Sequence, residues 1–295
     1  MVLALGVLGS AAKVSALPIN LGAAGPANWV VLETGHNAPN ANVSIANASS
    51  AGYVTGNIGV YSTGTISDSG TPISGSVYLS AGAHANSNLG PNVSGAVLQD
   101  ASAQTLLSQA RADAAAAAAA ASALAGTSIA DITTGGVFSG APGVYDLNKI
   151  NLSGVTLTLN GTASDYYIFN IATALTLSHG SIVLSGGLTP DNVLFNITRV
   201  GGTGLGMSGG LATESVLYGI VLANNSQVSE APGLVVGELI SGDNIGIASG
   251  AQVQGITVPD AASSGLLLSL ACGVLALARP HRLRSSSVRA GGAGL

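Results

Sequence analysis

The chain has 295 residues, of which 47% are hydrophobic and only 7% charged, with a formal net charge of −5. So much apolar content excludes a disordered chain, and so few Lys and Arg exclude a nucleic-acid groove, which needs them clustered. The single cysteine, Cys272, excludes a disulfide framework and a cysteine metal site, so stability must come from packing.

Residues 2–12 are apolar and lead to Val14-Ser15-Ala16. This has the apolar core and small-residue cleavage site of a secretory signal peptide over residues 1–16. The basic start such signals carry is missing, and Lys13 sits on the wrong side of the apolar run. Leu21-Gly22-Ala23-Ala24-Gly25 then enters Trp29-Val30-Val31-Leu32, a first strand, with Trp29 expected to cover the end of a core.

The next stretch sets the plan. Val54-Thr55-Gly56-Asn57-Ile58-Gly59-Val60, Ile73-Ser74-Gly75-Ser76-Val77-Tyr78-Leu79 and Val93-Ser94-Gly95-Ala96-Val97-Leu98-Gln99 are one phrase written three times. Each reads β-branched, hydroxyl, glycine, then alternating apolar residues. Their starts, at Val54, Ile73 and Val93, lie about 20 residues apart, a period that marks stacked coils, each burying its apolar side against copies of itself. The shared glycine suits the corner of a coil, where a Cβ would be penalised.

Residues 101–125 break the pattern. Eight consecutive alanines, Ala114 to Ala121, and no Gly or Pro make this a helix. Asp100 or Ser102 can cap its start and Gly126 suits its end. Leu107, Ala110, Ala114, Ala117, Ala121 and Leu124 share one face. Small side chains allow close approach, so the helix is expected to run along the coils and cover one side.

The coils resume at Gly143-Val144-Tyr145. Val155-Thr156-Leu157-Thr158-Leu159 alternates strictly, and Leu175-Thr176-Leu177-Ser178 repeats its character one such period later. Thr156, Thr158, Thr176 and Ser178 are therefore expected to form one outward row, with Thr55, Ser74 and Ser94 as an alternative edge. Ile168-Phe169-Asn170-Ile171 and Leu194-Phe195-Asn196-Ile197 are near copies; residues 216–222, 234–240 and 245–247 continue the stack, with Gly219 and Gly237 echoing the earlier glycines.

Val258-Pro259-Asp260 opens a different segment. Residues 266–278 are apolar but fall short of the about 20 residues a spanning helix needs, and Arg279, His281, Arg282 and Arg284 follow as a basic flank. The domain reading is a signal at 1–16, a solenoid at 17–257 containing the helix 101–125, a sorting or membrane-anchor segment at 258–284, and a disordered tail at 285–295.

No catalytic constellation is visible. Asp68, Asp146, Asp165, Asp191, Glu214, Glu230, Glu238 and Asp243 are scattered singly, and His36, His84 and His179 lack metal-ligand spacing. The reading is a non-enzyme with no cofactor and no metal. The Asn-x-Ser/Thr triplets at Asn42, Asn160 and Asn196 read as chance in so Asn- and Ser-rich a chain.

From about Leu21 to Gly255, the opening glycine turn with its Trp29 strand, the phrase at Val54, the alanine helix, Gly143-Val144-Tyr145, Tyr167-Ile168-Phe169-Asn170-Ile171 and Asn192-Val193-Leu194-Phe195 together resemble the ice-binding-like family of secreted β-solenoids. That resemblance implies an all-β-dominated right-handed parallel β-solenoid, or β-helix, of triangular section with one long Ala-rich α-helix packed alongside. It also implies ice as the partner, met by a flat Thr/Ser/Ala-rich face, which makes Thr156, Thr158, Thr176 and Ser178 the contact candidates. The tail from Val258 to Arg284 resembles a PEP-CTERM sorting signal, with Val258-Pro259-Asp260 at the motif and Arg279, Arg282 and Arg284 as the flank. It departs from the usual Pro-Glu-Pro, reading Pro259-Asp260-Ala261. Such a tail implies membrane attachment before processing and a surface or matrix destination in a Gram-negative bacterium. Val221-Leu222-Ala223-Asn224-Asn225-Ser226 and Gly237-Glu238-Leu239-Ile240-Ser241-Gly242 also resemble choice-of-anchor A domains, which implies an adhesin-like protein with extracellular polysaccharide or another polymer as partner.

Overall fold

Short strands of this chain bury alternate side chains and turn at small residues, so they pile up rather than spread out. The computed structural model describes residues 17–46, 51–209, 214–248 and 250–256. All lie in one compact unit, Val14–Thr257; residues 1–16 and 257–295 fall outside the described residues. The expected signal, the sorting motif with its basic flank, and the tail therefore also lie outside them.

Among the described residues, 21 strands form a single sheet, and every pairing between them is parallel. Each coil contributes up to three short strands, so the sheet folds into three faces. Val54, Ile73 and Val93 stack in register, and so do Ile58, Val77 and Val97. The repeated phrase is thus the end of one face, a corner, and the start of the next.

The corner explains the glycine. Gly219 pairs with Gly237 in register, and a Cβ on Gly237 would lie 1.9 Å from the Gly219 carbonyl oxygen. A Cβ on Gly75 would lie 2.3 Å from the carbonyl of Gly56. Backbone therefore rides directly on backbone along this edge, and φ is +143° at Gly219 and +139° at Gly56, where L side chains are strained.

The stacking order differs from chain order. Val31–Glu33 in the first coil pairs with Gly233–Ser241 on one side and with Ile58–Val60 on the other. Coils run outward from there to Val97–Leu98. The helix Ala101–Ala123 then carries the chain back to the opposite end, where Thr127–Ser128 pairs with Gly143–Ser153. The remaining coils walk back until Gly233–Ser241 closes on the first coil. Thr127–Ser128 and Val97–Leu98 are nine strand spacings apart, about 43 Å at roughly 4.8 Å each. The helix supplies about 34 Å of that at 1.5 Å per residue, and the flanking residues the rest.

Asp100 caps the helix, its carboxylate accepting from the Ala103 N–H at 2.9 Å. The helix stops at Leu124, which turns to extended backbone, and not at Gly126. Gly126 is small for another reason, since a Cβ there would meet the Asp146 carboxylate. Ala103, Leu107, Ala110, Ala114, Ala117 and Ala121 are buried, on the stripe read from the sequence. All but Ala103 pack with Leu32, Ile168, Leu194, Ile220, Leu222 and Ile240.

Trp29 does not cover an end. It lies with the first coil, in the middle of the stack, buried in the cluster beneath the helix and edge-on to Tyr78 at 5.1 Å. Its Nε1 donates to the Ala23 carbonyl at 2.7 Å. Because the chain enters mid-stack, a residue early in sequence is not early in space. At the end that starts with residues 127–137, Phe138 packs edge-on to Tyr145 and Phe169.

Candidate functional site

The three faces differ in what they leave for a partner. One is covered by the helix. Polar bonds lock it there: Asn196 Nδ2 donates to Asn170 Oδ1 at 2.9 Å and to Ser122 Oγ at 3.0 Å, and Asn170 Nδ2 donates to the Ala121 carbonyl at 3.0 Å. The second face carries Asn151, Thr176, Gly206, Ser229, Gly246, Ser44 and Ser67 in one outward row. Its register shifts between Leu147 and Lys149 and again between Thr203 and Leu205, so it is bulged. It also carries the ion pair of Lys149 with Asp131, at 3.9 Å.

The third face is open and regular. One outward row runs Thr156, Ser181, Val216, Leu234, Gln252, Tyr53. The row two residues on contains Thr158 beside Val183, then Tyr218, Val236, Gln254 and Thr55. Ser74 and Ser94 extend that second row, following the stacked Ile73 and Val93. Val137 begins it at the other end and is 69% exposed. None of these row residues carries a carboxylate, ammonium, guanidinium or imidazole.

Between the rows point Leu157, Ile182, Leu217, Val235, Val253 and Val54, all buried in the core. These anchors, with no register shift among the six coils, hold the outward positions in a lattice. Neighbours along a row are about 4.7–4.9 Å apart, and the two rows are separated by two residues of strand, about 6.5–7 Å.

The sequence-derived row is divided by the fold. Thr156 and Thr158 stand on the open face, whereas Thr176 and Ser178 stand on the bulged one, stacked on Asn151 and Ser153. The reason is coil length. In this half of the stack Thr156 pairs with Ser181 and Thr158 with Val183. The coil is therefore longer than the spacing of the early phrases, and that shorter spacing carries Thr156 onto a different face. The chain turns between these faces at His179, whose φ is +52°. Conversely Thr55, Ser74 and Ser94, read as an alternative edge, continue the very row of Thr158. The sequence reading missed Ser181, Val183, Val216, Leu234, Val236, Gln252 and Tyr53. No single interval would have found them, because the row steps from Thr156 to Ser181, then by a much longer loop to Val216, then by short coils to Leu234 and Gln252.

Of the scattered acids, Glu214 comes near the buried Glu230, whose pKa burial drives well above the usual carboxylate range and the Glu214 charge raises further. Glu33 is fully buried and accepts from the N–H groups of Gly35 and Ser62. Burial pushes its pKa up to about 7, against the opposing pull of those hydrogen bonds. Glu238 is also fully buried, its carboxylate oxygens have no hydrogen-bond partner, and burial drives its pKa well above the usual carboxylate range. Among the described residues no group of three His, Cys, Asp or Glu could hold a metal ion.

A stack of parallel coils with a covering helix and one uncharged face defines a β-solenoid that presents a surface. The chain belongs to the ice-binding-like family, whose model matches residues 40–255. The structure is similar to an ice-binding protein from the Antarctic ascomycete Antarctomyces psychrotrophicus, with a TM-score of 0.55 and 25% identity over 80% of this chain and 97% of that one. It shares its fold with an ice-binding protein from an Arctic yeast (TM-score 0.55, 19% identity, 82% of this chain and 96% of that one). It also shares it with an ice-binding protein of Shewanella frigidimarina (TM-score 0.52, 18% identity, 83% of this chain and 100% of that one). No curated protein matches the chain at a significant level.

Proposed function

We propose that the protein binds ice through the open face, without catalysis, and that it works outside the cell at the surface or in the surroundings of a Gram-negative bacterium. One observation carries the reading: two outward rows of hydroxyl, aliphatic and amide side chains, free of charge, the first of them in register across six coils. Ice is a periodic solid without ionic groups. A charged side chain facing it would have to give up its hydration with nothing to pair with. Methyl and hydroxyl groups carry little such cost, and many weak contacts add when their spacing is fixed beforehand.

Thermal hysteresis and ice-crystal shaping test this directly. Faceted crystals and a freezing gap are expected for the protein. Leu234→Lys with Val236→Lys, at the centre of the two rows, is expected to abolish both while the fold persists. Thr176→Lys on the bulged face is expected to leave them intact; loss of shaping only in that variant would move the site to the bulged face.

A further inference from the structure

Away from the open face, the helix does not seal against the sheet along its whole length. Near its C-terminal half it leaves a groove of about 280 Å³. One wall is alkyl, made by the methyl groups of Ala115, Ala118 and Ala119; the other carries Asn224 and Asn225, with His36 also lining the groove.

The groove has a firm floor and unused hydrogen-bonding capacity above it. In the floor, Asn196 Nδ2 donates to Ser122 Oγ, and Ser122 Oγ donates to the Ala118 carbonyl at 2.9 Å, so those groups are spoken for. Asn224 is only 3% exposed, yet its Oδ1 has no hydrogen-bond partner. Leaving a buried acceptor unpaired is costly. The backbone of the neighbouring Asn225 is held, its carbonyl accepting from the Gly201 N–H at 2.7 Å.

We propose that this groove binds a small neutral polyol or monosaccharide. A sugar ring has C–H groups on one side and hydroxyls around its edge, which suits an alanine wall facing two amides. No carboxylate, ammonium or guanidinium lines the groove, so a cation would enter unpaired, and His36 is the one lining group an anion could meet. The volume lies just below the usual range for ligand sites, a size that suits a single ring. This site is separate from the open face and does not depend on ice binding.

The test is a titration of the full chain with glucose and with glycerol, followed by amide chemical shifts. Saturable shifts are expected, confined to residues 36, 115–122, 196–198 and 224–225. Asn225→Ala is expected to weaken binding about tenfold, the worth of one hydrogen bond to a well-placed amide. Ala119→Leu, at an exposed edge of the groove, fills the alkyl wall and is expected to remove binding while preserving the dispersed spectrum of the folded protein. Thr158→Tyr on the open face is expected to leave it unchanged. Shifts that do not saturate, that scatter over the surface, or that persist in both groove variants would overturn the proposal.

Discussion

The covered face and the open face are built on the same ladder and put to opposite uses. Both stack parallel strands in register, and both point alternate residues outward. On the covered face those residues are Ile168, Leu194 and Ile220, buried under an alanine stripe. On the open face they are Thr156, Ser181, Val216 and their neighbours, which stay exposed or half-buried. The backbone fixes where side chains stand, and the outward residue alone decides whether a face becomes core or contact surface. A substitution of one kind should therefore act on stability on one face and on ice growth on the other.

The largest effect is expected beneath the helix. Ala114→Asp would place a carboxylate in a fully buried, apolar contact and should cost about 3–5 kcal/mol, as an uncompensated buried charge does. Chemical denaturation would register it as a lowered midpoint. Next comes the shared corner. Gly237→Ala should cost roughly 1–3 kcal/mol, because the new methyl meets the Gly219 carbonyl and the backbone is held at a conformation that suits glycine. Thermal melting of that variant should show it, and an unchanged melting temperature would mean the glycine column is not needed.

A smaller effect concerns pH. Glu33 and Glu238 have pKa values raised by burial. Well below the ordinary carboxylate range both are protonated, folded or unfolded, and contribute no pH dependence. As pH rises, the unfolded chain releases protons that the folded one keeps, so these groups make stability fall, through about 7 for Glu33. Glu238→Gln keeps the shape and cannot ionise. It is expected to flatten its share of that decline, read as a higher melting temperature than the parent at mildly alkaline pH and an equal one in acid. The smallest stability change is expected on the open face, where Leu234→Lys with Val236→Lys should stay within about 0.5 kcal/mol per site.

Much of this architecture is legible in the residues themselves. The phrase at Val54, Ile73 and Val93 returns at a nearly constant interval because that is the coil length there, and its glycine marks a corner where backbone meets backbone. The helix and its buried stripe follow from alanine spacing alone. The proposed contact surface is harder to read because coil length changes. Between Gly143 and Ile197 each coil is longer, as Tyr167 against Val193 shows. The early interval therefore leads from Thr156 to Thr176, while its neighbour in the stack is Ser181. Trp29 misleads for a related reason. The first coil sits between the last coil and the second, and only the pairing of Val31 with both Leu239 and Ile58 reveals it. That pairing is non-local and leaves no trace in a local pattern.

The most direct test of the account is ice-crystal growth in the presence of the protein and of Leu234→Lys with Val236→Lys. The account predicts faceted, arrested crystals for the parent and round, freely growing ones for the variant, with both proteins melting at closely similar temperatures. Faceted crystals from a folded variant would contradict it and take the open face out of consideration as the ice-binding surface.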